Sequence, residues 1–272
     1  MKKLLITDLD DILYSWINFF VPAFYEMVDI LVSKTGIEKT VLINEYKVIH
    51  QQYCNVEYPF STLQLPSIKK KYADYSDVEL KKILNEAFHR FNSVRKYNLK
   101  LFPGVTDTLN ILYQKGIKII GYSDSAEENG YYRLKKLGIE YLFDKIYLSN
   151  SCFKNDKNIV RPDKIEIVQT KKPDPDTLLQ ICKRENISTD DAVYVGDSLT
   201  KDIYMAYCAN IESIWMHGGK VAPDLYTKLI AISHWMEYDF EQEEIIKKKC
   251  SELGIQPSYK ISEFRKILDI VL

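Results

Sequence analysis

Seven polar residues in this sequence have types and positions that could support nucleophilic, acid–base and metal chemistry. They follow short apolar runs or stand at the start of helical segments: Asp8, Asp10, Ser123, Asp124, Lys172, Asp197 and Asp202. In an open parallel sheet, ligands bind beyond the carboxyl ends of the strands. We therefore expect these side chains to meet at one sheet edge, although they are far apart in the chain.

The four aspartates at positions 8, 10, 197 and 202 would repel one another, and one or more would be driven to take up a proton. A small divalent cation removes this difficulty, and Mg²⁺ typically binds one or two carboxylates together with substrate phosphate and water. Lys172 would add another positive charge beside the aspartates. A phosphoryl group suits such a site, because the cation and the lysine offset its charge while a carboxylate attacks the phosphorus.

The elements that must position these residues alternate between short apolar runs and helical spacing. The sequence predicts strands over residues 3–7, 117–122, 145–148, 192–195, 211–215 and 259–262. Helical segments separate most of them after residue 100. This alternation is typical of α/β proteins with right-handed crossovers, so we predict a doubly wound, parallel, Rossmann-like sheet.

A helical block interrupts this pattern after the first strand. Its apolar stripe runs from Phe20 through Phe24 and Met27, and Ser76 with Glu79 forms a predicted capping box. We predict an α/β core of residues 1–14 and 99–272 with an inserted all-helical domain of residues 15–98. Segments 149–170 and 220–253 fit the alternation poorly, and the first is interpreted as containing a small hairpin.

Composition excludes several classes of partner. The chain of 272 residues has 37 basic and 38 acidic residues, a net charge of −1, which does not favour binding to a nucleic acid polymer or an anionic membrane. Its five cysteines form no C-x-x-C pair, which argues against a structural zinc site and favours reduced thiols. No apolar stretch is expected to reach the roughly 20 residues of a membrane span, and no signal sequence is complete. These features predict a cytoplasmic location and leave the oligomeric state open.

Four motifs in this order resemble those of the haloacid dehalogenase-like (HAD) hydrolases. They are DLDDIL at residues 8–13, Ser123 at a strand end, Lys172 within KKPDP, and GDSLTKD at residues 196–202. The resemblance covers the predicted sheet domain, and the helical block takes the place of the family's helical (C1-type) cap. It implies a magnesium-dependent phosphatase, since most of that superfamily are such enzymes.

The resemblance also assigns roles to the four aspartates. Asp8 would be the nucleophile that forms an aspartyl-phosphate, and it would bind Mg²⁺. Asp10 would protonate the leaving oxygen and then take a proton from water, while its backbone carbonyl contacts the metal. Asp197 would bind Mg²⁺ directly, and Asp202 would act through water or by holding Lys172.

The remaining motif residues would bind the phosphoryl group. Ser123 would hydrogen-bond it, Lys172 would neutralise it and orient Asp8, and the backbone amides of Leu9 and Asp124 would complete the cradle. Three positions depart from the family pattern, and one of them is Asn210, which stands where a glycine usually follows the helix of the fourth motif. Ile12 lacks the hydroxyl of the usual threonine, and Asp124 replaces a frequent asparagine, so both are expected to affect activity or selectivity.

The leading hypothesis is a phosphatase that hydrolyses a small phosphorylated metabolite. A sugar-phosphate mutase would use the same groups, whereas a carbon–halogen hydrolase would need neither Asp10 nor the acids at 197 and 202. A phosphonate-cleaving relative would need a Schiff-base lysine, for which residues 69–71 are candidates. A binding module with little or no activity is the non-enzymatic alternative.

Overall fold

The computed structural model describes residues 1–150, 162–218 and 222–272. The strands in these ranges are β1 (Leu4–Thr7), β2 (Lys118–Ala126), β3 (Lys145–Ser149), β4 (Ile165–Val168), β5 (Ala192–Gly196), β6 (Glu212–Met216) and β7 (Tyr259–Ile261). The α-helices are α1 (Trp16–Thr35), α2 (Lys39–Tyr53), α3 (Pro66–Lys71), α4 (Asp77–Ile83), α5 (Asn85–Asn98), α6 (Val105–Gln114), α7 (Glu127–Leu137), α8 (Asp176–Glu185), α9 (Tyr204–Cys208), α10 (Pro223–Ile232), α11 (Glu237–Glu252) and α12 (Leu268–Val271).

The strands of the described residues form one parallel sheet in the order β4-β3-β2-β1-β5-β6-β7. Every residue of β1 is buried, as expected for a central strand of a sheet covered by helices. The connection after β1 leads to β2 on one side, and the connection after β5 leads to β6 on the other side. Such a change of direction opens a crevice beyond the carboxyl ends of β1 and β5. The predicted doubly wound parallel sheet is confirmed.

The predicted hairpin within residues 149–170 is wrong for the part that the structure describes. Residues 165–168 form β4, which pairs in parallel with β3, and Ile146 lies opposite Ile165. Ile165 and Ile167 belong to this strand, which lies at the edge of the described sheet and whose residues are all half-buried. Residues 151–161 of this segment lie outside the described residues.

The chain divides into two units. The α/β unit comprises Met1–Ser15, Lys100–Gly219 and Glu241–Leu272, and the helical unit comprises Trp16–Leu99 and Lys220–Phe240. The second stretch of the helical unit differs from the predicted boundaries, which placed residues 220–240 in the core. Its helix α10 packs on α1 and α2, where the Ile232 carbonyl oxygen lies 2.7 Å from His50 Nδ1. Tertiary contacts of this kind leave no local sign in the sequence.

Helix α1 forms the centre of the helical unit. Its stripe of Phe20, Phe24 and Met27 is buried, and the Phe24 ring contacts the Tyr46 ring edge-on at a centroid distance of 4.9 Å. Contrary to the expectation from the sequence, α1, with 20 residues, is long and apolar enough to cross a membrane by length and composition alone. Half of this apolar stretch is buried inside the protein, as in a core helix.

Protonation of His50 is expected to destabilise the helical unit at low pH. Burial lowers the pKa of His50 to about 4, against an ordinary value of 6.5. The unfolded chain therefore binds this proton first, and stability is full above pH 6.5 and falls as the pH drops toward 4. Linkage predicts a loss of about 2 kcal/mol in the free energy of unfolding between pH 7.5 and pH 5. Urea denaturation at both pH values measures it.

The matched variants for this prediction are His50→Gln and His89→Gln. Glutamine at position 50 removes the titration and keeps an N–H donor for the Ile232 carbonyl oxygen. His89 is exposed on α5, so its replacement should preserve the wild-type pH dependence. An unchanged pH dependence in His50→Gln would contradict the assignment.

Candidate active site

The first predicted site residue, Asp8, follows β1 directly at the carboxyl edge of the sheet. Its backbone N–H donates to the Val195 carbonyl oxygen of β5 at 2.9 Å, which extends the β1–β5 ladder by one residue. The buried side chain accepts a hydrogen bond from the Leu9 amide at 2.7 Å. The strand pairing therefore fixes this carboxylate at the crevice between β1 and β5.

Lys172 joins two of the predicted aspartates. Its Nζ lies 2.8 Å from Asp8 Oδ2 and 2.9 Å from Asp202 Oδ1. Asp202 is held from two further sides, because the Tyr194 hydroxyl donates to its Oδ1 at 2.7 Å and the Ser198 amide donates to its Oδ2 at 3.0 Å. Residues 8, 172 and 202 thus meet in one buried group.

The charges in this group determine its protonation. Burial alone would lower the pKa of Lys172, but the carboxylates of Asp202 and Asp8 raise it well above its ordinary value, so the ammonium persists. For Asp202, burial is outweighed by Lys172 and the hydrogen bonds, which lower its pKa. Burial and repulsion from Asp202 and Asp197 raise the pKa of Asp8 in spite of Lys172. An ionised Asp8 therefore needs more positive charge than Lys172 supplies.

Asp197 completes a group of carboxylates that could hold a cation. Asp8, Asp197 and Asp202 each offer one oxygen, and the three oxygens lie within 4.8 Å of one another. Desolvation and repulsion from Asp202 and Asp11 raise the pKa of Asp197 to about 7, although its side chain keeps contact with solvent. The all-oxygen donor set and the excess of negative charge both suit a hard divalent cation.

Asp10 lies apart from this carboxylate group and faces hydroxyl and guanidinium donors. Ser123 Oγ donates to Asp10 Oδ2 at 3.1 Å, and Ser125 Oγ donates to the same oxygen at 2.7 Å. Arg133 Nη2 lies 3.2 Å from Asp10 Oδ1 and 3.3 Å from Oδ2. The side chain of Asp10 is thus oriented by residues of β2 and α7.

Sequence reasoning missed Arg133 and Ser125. Arg133 is fully buried, on the face of α7 that also buries Gly130 and Leu134. An arginine among the buried positions of a helix was the available signal, because a cation there must have a partner. Ser125 lay beyond the strand that the sequence predicted to end at residue 122, whereas β2 continues to Ala126.

Of the other predicted residues, Leu9 and Asp124 make hydrogen bonds within the α/β unit that differ from the predicted ones. The Leu9 amide, expected in the phosphate cradle, donates to Asp8. Asp124 Oδ1 accepts a hydrogen bond from the Lys172 amide at 3.2 Å and so tethers that loop. Ile12 is fully buried, next to Asp11 with a φ of 56°. Lysines 69–71, the Schiff-base candidates, are exposed in the last turn of α3.

A glycine makes room for the Asp202 carboxylate. A Cβ at Gly196 would lie 2.3 Å from both Cβ and Cγ of Asp202, closer than real atoms approach. We expect Gly196→Ala to displace Asp202 from Lys172, to cost about 1–3 kcal/mol of stability and to lower turnover of phosphate monoesters. Steady-state kinetics and urea denaturation of the same preparation measure both effects.

Gly116→Ala is the matched control for this substitution. Gly116 has a φ of +75°, so alanine is strained there, yet no atom lies within 4 Å of the new Cβ. This variant should lose stability while retaining the wild-type kcat. If Gly196→Ala kept its kcat as well, the packing of Asp202 against residue 196 would not matter for the site.

Comparisons with known proteins agree with this architecture. A curated relative, the glyceraldehyde 3-phosphate phosphatase of Methanopyrus kandleri, is 26% identical over 139 residues, which are 51% of this chain and 53% of the relative. The chain thus matches about half the length of that protein. Among solved structures, the 2-haloacid dehalogenase of Pseudomonas syringae pv. tomato DC3000 is 22% identical with a TM-score of 0.57, and 100% of this chain and 98% of that chain are covered.

A second solved structure, the HAD phosphatase of Thermococcus onnurineus, has a TM-score of 0.54 at 17% identity, with 99% of this chain and 97% of that chain covered. Such identities show a shared fold. A family model described as haloacid dehalogenase-like hydrolase matches residues 37–216, which include β2 to β6 and the site residues after Asp10. Because this match spans more than half of the sequence, the protein belongs to the haloacid dehalogenase-like hydrolase family.

Proposed function

We propose that this protein is a magnesium-dependent phosphatase that hydrolyses small phosphate monoesters through an aspartyl-phosphate on Asp8. The observation that carries the proposal is the buried Lys172 ammonium, 2.8 Å from Asp8 and 2.9 Å from Asp202 at the carboxyl edge of the sheet. A carboxylate held beside a fixed cation is arranged to attack a phosphoryl group whose charge that cation offsets.

The proposed reaction has two displacements at phosphorus. An oxygen of Asp8 attacks, the phosphorus–oxygen ester bond breaks, and Asp10 gives its proton to the leaving oxygen. Asp10 then takes a proton from a water molecule that attacks the aspartyl-phosphate, and inorganic phosphate leaves as the Asp8 carboxylate is restored. Lys172 offsets the charge on the phosphoryl oxygens in both steps. Ser123 is the proposed hydroxyl donor to these oxygens, with the amides of Leu9 and Asp124 beside it.

The residues of the site fit a divalent cation. Acids outnumber cations among the described site residues, with Asp8, Asp10, Asp197 and Asp202 facing Lys172 and Arg133. Among these six residues, two negative charges are therefore left over when all of them are ionised. Asp8 and Asp197 would hold Mg²⁺ directly, with Asp202 behind them, and the bound ion would supply charge stabilisation for the phosphoryl group. The Asp10 side chain faces Arg133, so we propose only its backbone carbonyl as a ligand.

Three observations support a phosphate ester rather than another substrate of the family. A carbon–halogen hydrolase needs neither the acid Asp10 nor a divalent cation, whereas this chain has both Asp10 and a carboxylate group suited to a cation. The relative from Methanopyrus kandleri is named as a phosphatase of a small phosphorylated metabolite. The first stretch of the helical unit, Trp16–Leu99, lies between β1 and β2 in the chain, and we propose that this unit is the cap that selects the substrate.

A substrate screen tests the proposal. Purified protein is incubated at pH 8, above the pKa of Asp197, with p-nitrophenyl phosphate, nucleotides, sugar phosphates and three-carbon phosphates. Phosphate release is expected with MgCl₂ and is expected to stop when EDTA is added. Isomerised sugar phosphate without phosphate release would show a mutase instead. Activity that is unchanged by EDTA would contradict the metal requirement.

Cation binding can be followed without turnover. The Trp215 indole N–H donates to the Asp197 carbonyl oxygen at 2.7 Å, so its fluorescence should report changes in that loop. Titration with MgCl₂ is expected to change the emission of the wild type, and Trp215→Phe should lose the response. Asp197→Asn should weaken the response by at least about tenfold in Mg²⁺ concentration, because one of the two proposed carboxylate ligands is lost.

A further inference from the structure

A partly buried ion pair within the α/β unit involves the side chain of the proposed general acid. Arg133 is buried, and its Nη2 lies 3.2 Å from Asp10 Oδ1 and 3.3 Å from Asp10 Oδ2. The same Nη2 donates to Ser125 Oγ at 2.6 Å, and Ser125 Oγ donates in turn to Asp10 Oδ2. The Arg133 guanidinium and the bridging Ser125 hydroxyl therefore fix the orientation of the Asp10 carboxyl group.

The position of Arg133 is itself tightly determined. Its Nε donates to the Tyr14 hydroxyl at 3.0 Å, and Tyr14 is completely buried. Helix α7 lies close to β3, since a Cβ at Gly130 would be 2.6 Å from Leu148 Cδ2. Rotation of the guanidinium away from Asp10 would break these contacts and leave a buried charge without its partner, which is costly.

We propose that Arg133 is a positioning residue that holds the Asp10 carboxyl in the direction from which it protonates the leaving oxygen. The inference rests on the proposed phosphatase function and adds a residue outside the four motifs. Arg133 does not touch the substrate, because its side chain is only 1% exposed. We propose that its effect passes through Asp10 and Ser125, which its Nη2 contacts.

This role predicts a dependence on the leaving group. A p-nitrophenolate leaves readily without a proton, whereas the alkoxide of benzyl phosphate needs one. Loss of a positioned acid should therefore slow the benzyl ester selectively, and general acid catalysis typically contributes 10²- to 10⁴-fold. Damage to the fold would slow both esters by the same factor, because both rates scale with the amount of folded enzyme.

The experiment compares kcat/KM for benzyl phosphate and p-nitrophenyl phosphate in Arg133→Met, Arg133→Lys and the wild type. Arg133→Met is expected to lose roughly 10²-fold or more on the benzyl ester and less than about tenfold on the nitrophenyl ester. Arg133→Lys, which keeps the charge, should fall between the two. Lys136→Met, an exposed change on the same helix, should match the wild type on both esters.

The ratio of kcat/KM for the two esters is measured on one sample, so the fraction of folded enzyme cancels. If Arg133→Met does not fold, the same ratio measured on Arg133→Lys tests the proposal. Asp10→Asn should show the same selective loss, and the double variant Asp10→Asn/Arg133→Lys should lose nothing more on the benzyl ester. Equal losses on both esters in an enzyme that remains active would overturn the positioning role of Arg133 without contradicting the proposed phosphatase function. A wild type inactive on every monoester would instead contradict the proposed function.

Discussion

Asp8→Asn is expected to lower kcat for phosphate monoesters by at least about 10³-fold, because asparagine cannot form the aspartyl-phosphate. The change is nearly isosteric, and the new side-chain carbonyl can still accept the hydrogen bond that Leu9 donates to Asp8 Oδ1. The fold should therefore survive. The measurement is steady-state release of p-nitrophenol with Mg²⁺, beside circular dichroism of the same sample.

A second test of this prediction is to quench turnover with acid and to look for the aspartyl-phosphate by mass spectrometry. A phosphate adduct on the peptide that contains residue 8 is expected in the wild type and absent from Asp8→Asn. Asp107→Asn is the control, since Asp107 is exposed in the first turn of α6. A variant at position 8 with a kcat within tenfold of the wild type would rule out Asp8 as the nucleophile.

Lys172→Met is expected to have the second largest effect, on both stability and turnover. Methionine leaves the Asp8 and Asp202 carboxylates buried without the ammonium that lies within 2.9 Å of each. Removal of one partner of a buried ion pair typically costs about 3–5 kcal/mol, so urea denaturation should show a loss of this size. The kcat should fall by at least about 10²-fold, since the charge on the phosphoryl oxygens is no longer offset.

Added Mg²⁺ distinguishes the loss of the Lys172 charge from a simple packing defect as the cause of the lower stability. A cation that binds only the folded protein stabilises it, and the excess negative charge in Lys172→Met should make that gain larger than in the wild type. Lys171→Met is the matched control, because Lys171 is exposed while its neighbour is buried. A variant at position 172 as stable as the one at position 171 would contradict the electrostatic account.

The parallel sheet was predictable because six of the seven strands among the described residues carry their own signal, and only β4 was missed. The buried run of β1 and the alternation of apolar strands with amphipathic helices restrict the chain to a few topologies. The meeting of residues 8, 172 and 202 followed from the same rule, since side chains at the carboxyl ends of neighbouring parallel strands share an edge. At this edge Lys172 is buried, whereas its neighbour Lys171 is exposed.

The partners of Asp10 could not be read in the same way. Arg133 is 123 positions from Asp10, and its burial depends on how closely α7 approaches β3. An amphipathic pattern indicates which face of a helix is buried but does not name the residue that the face will meet. The same limit applies to α10, whose neighbours α1 and α2 are more than 150 positions earlier in the chain.

Residues 220–240 belong to the helical unit, which limits how this unit can be exchanged between related proteins. The chain passes from one unit to the other four times, not twice as a simple insertion would. A fragment of residues 16–99 produced alone would lack α10 and would leave the His50 ring, which is 1% exposed, without its cover. Transplantation of that fragment into a related scaffold should therefore fail unless residues 220–240 travel with it.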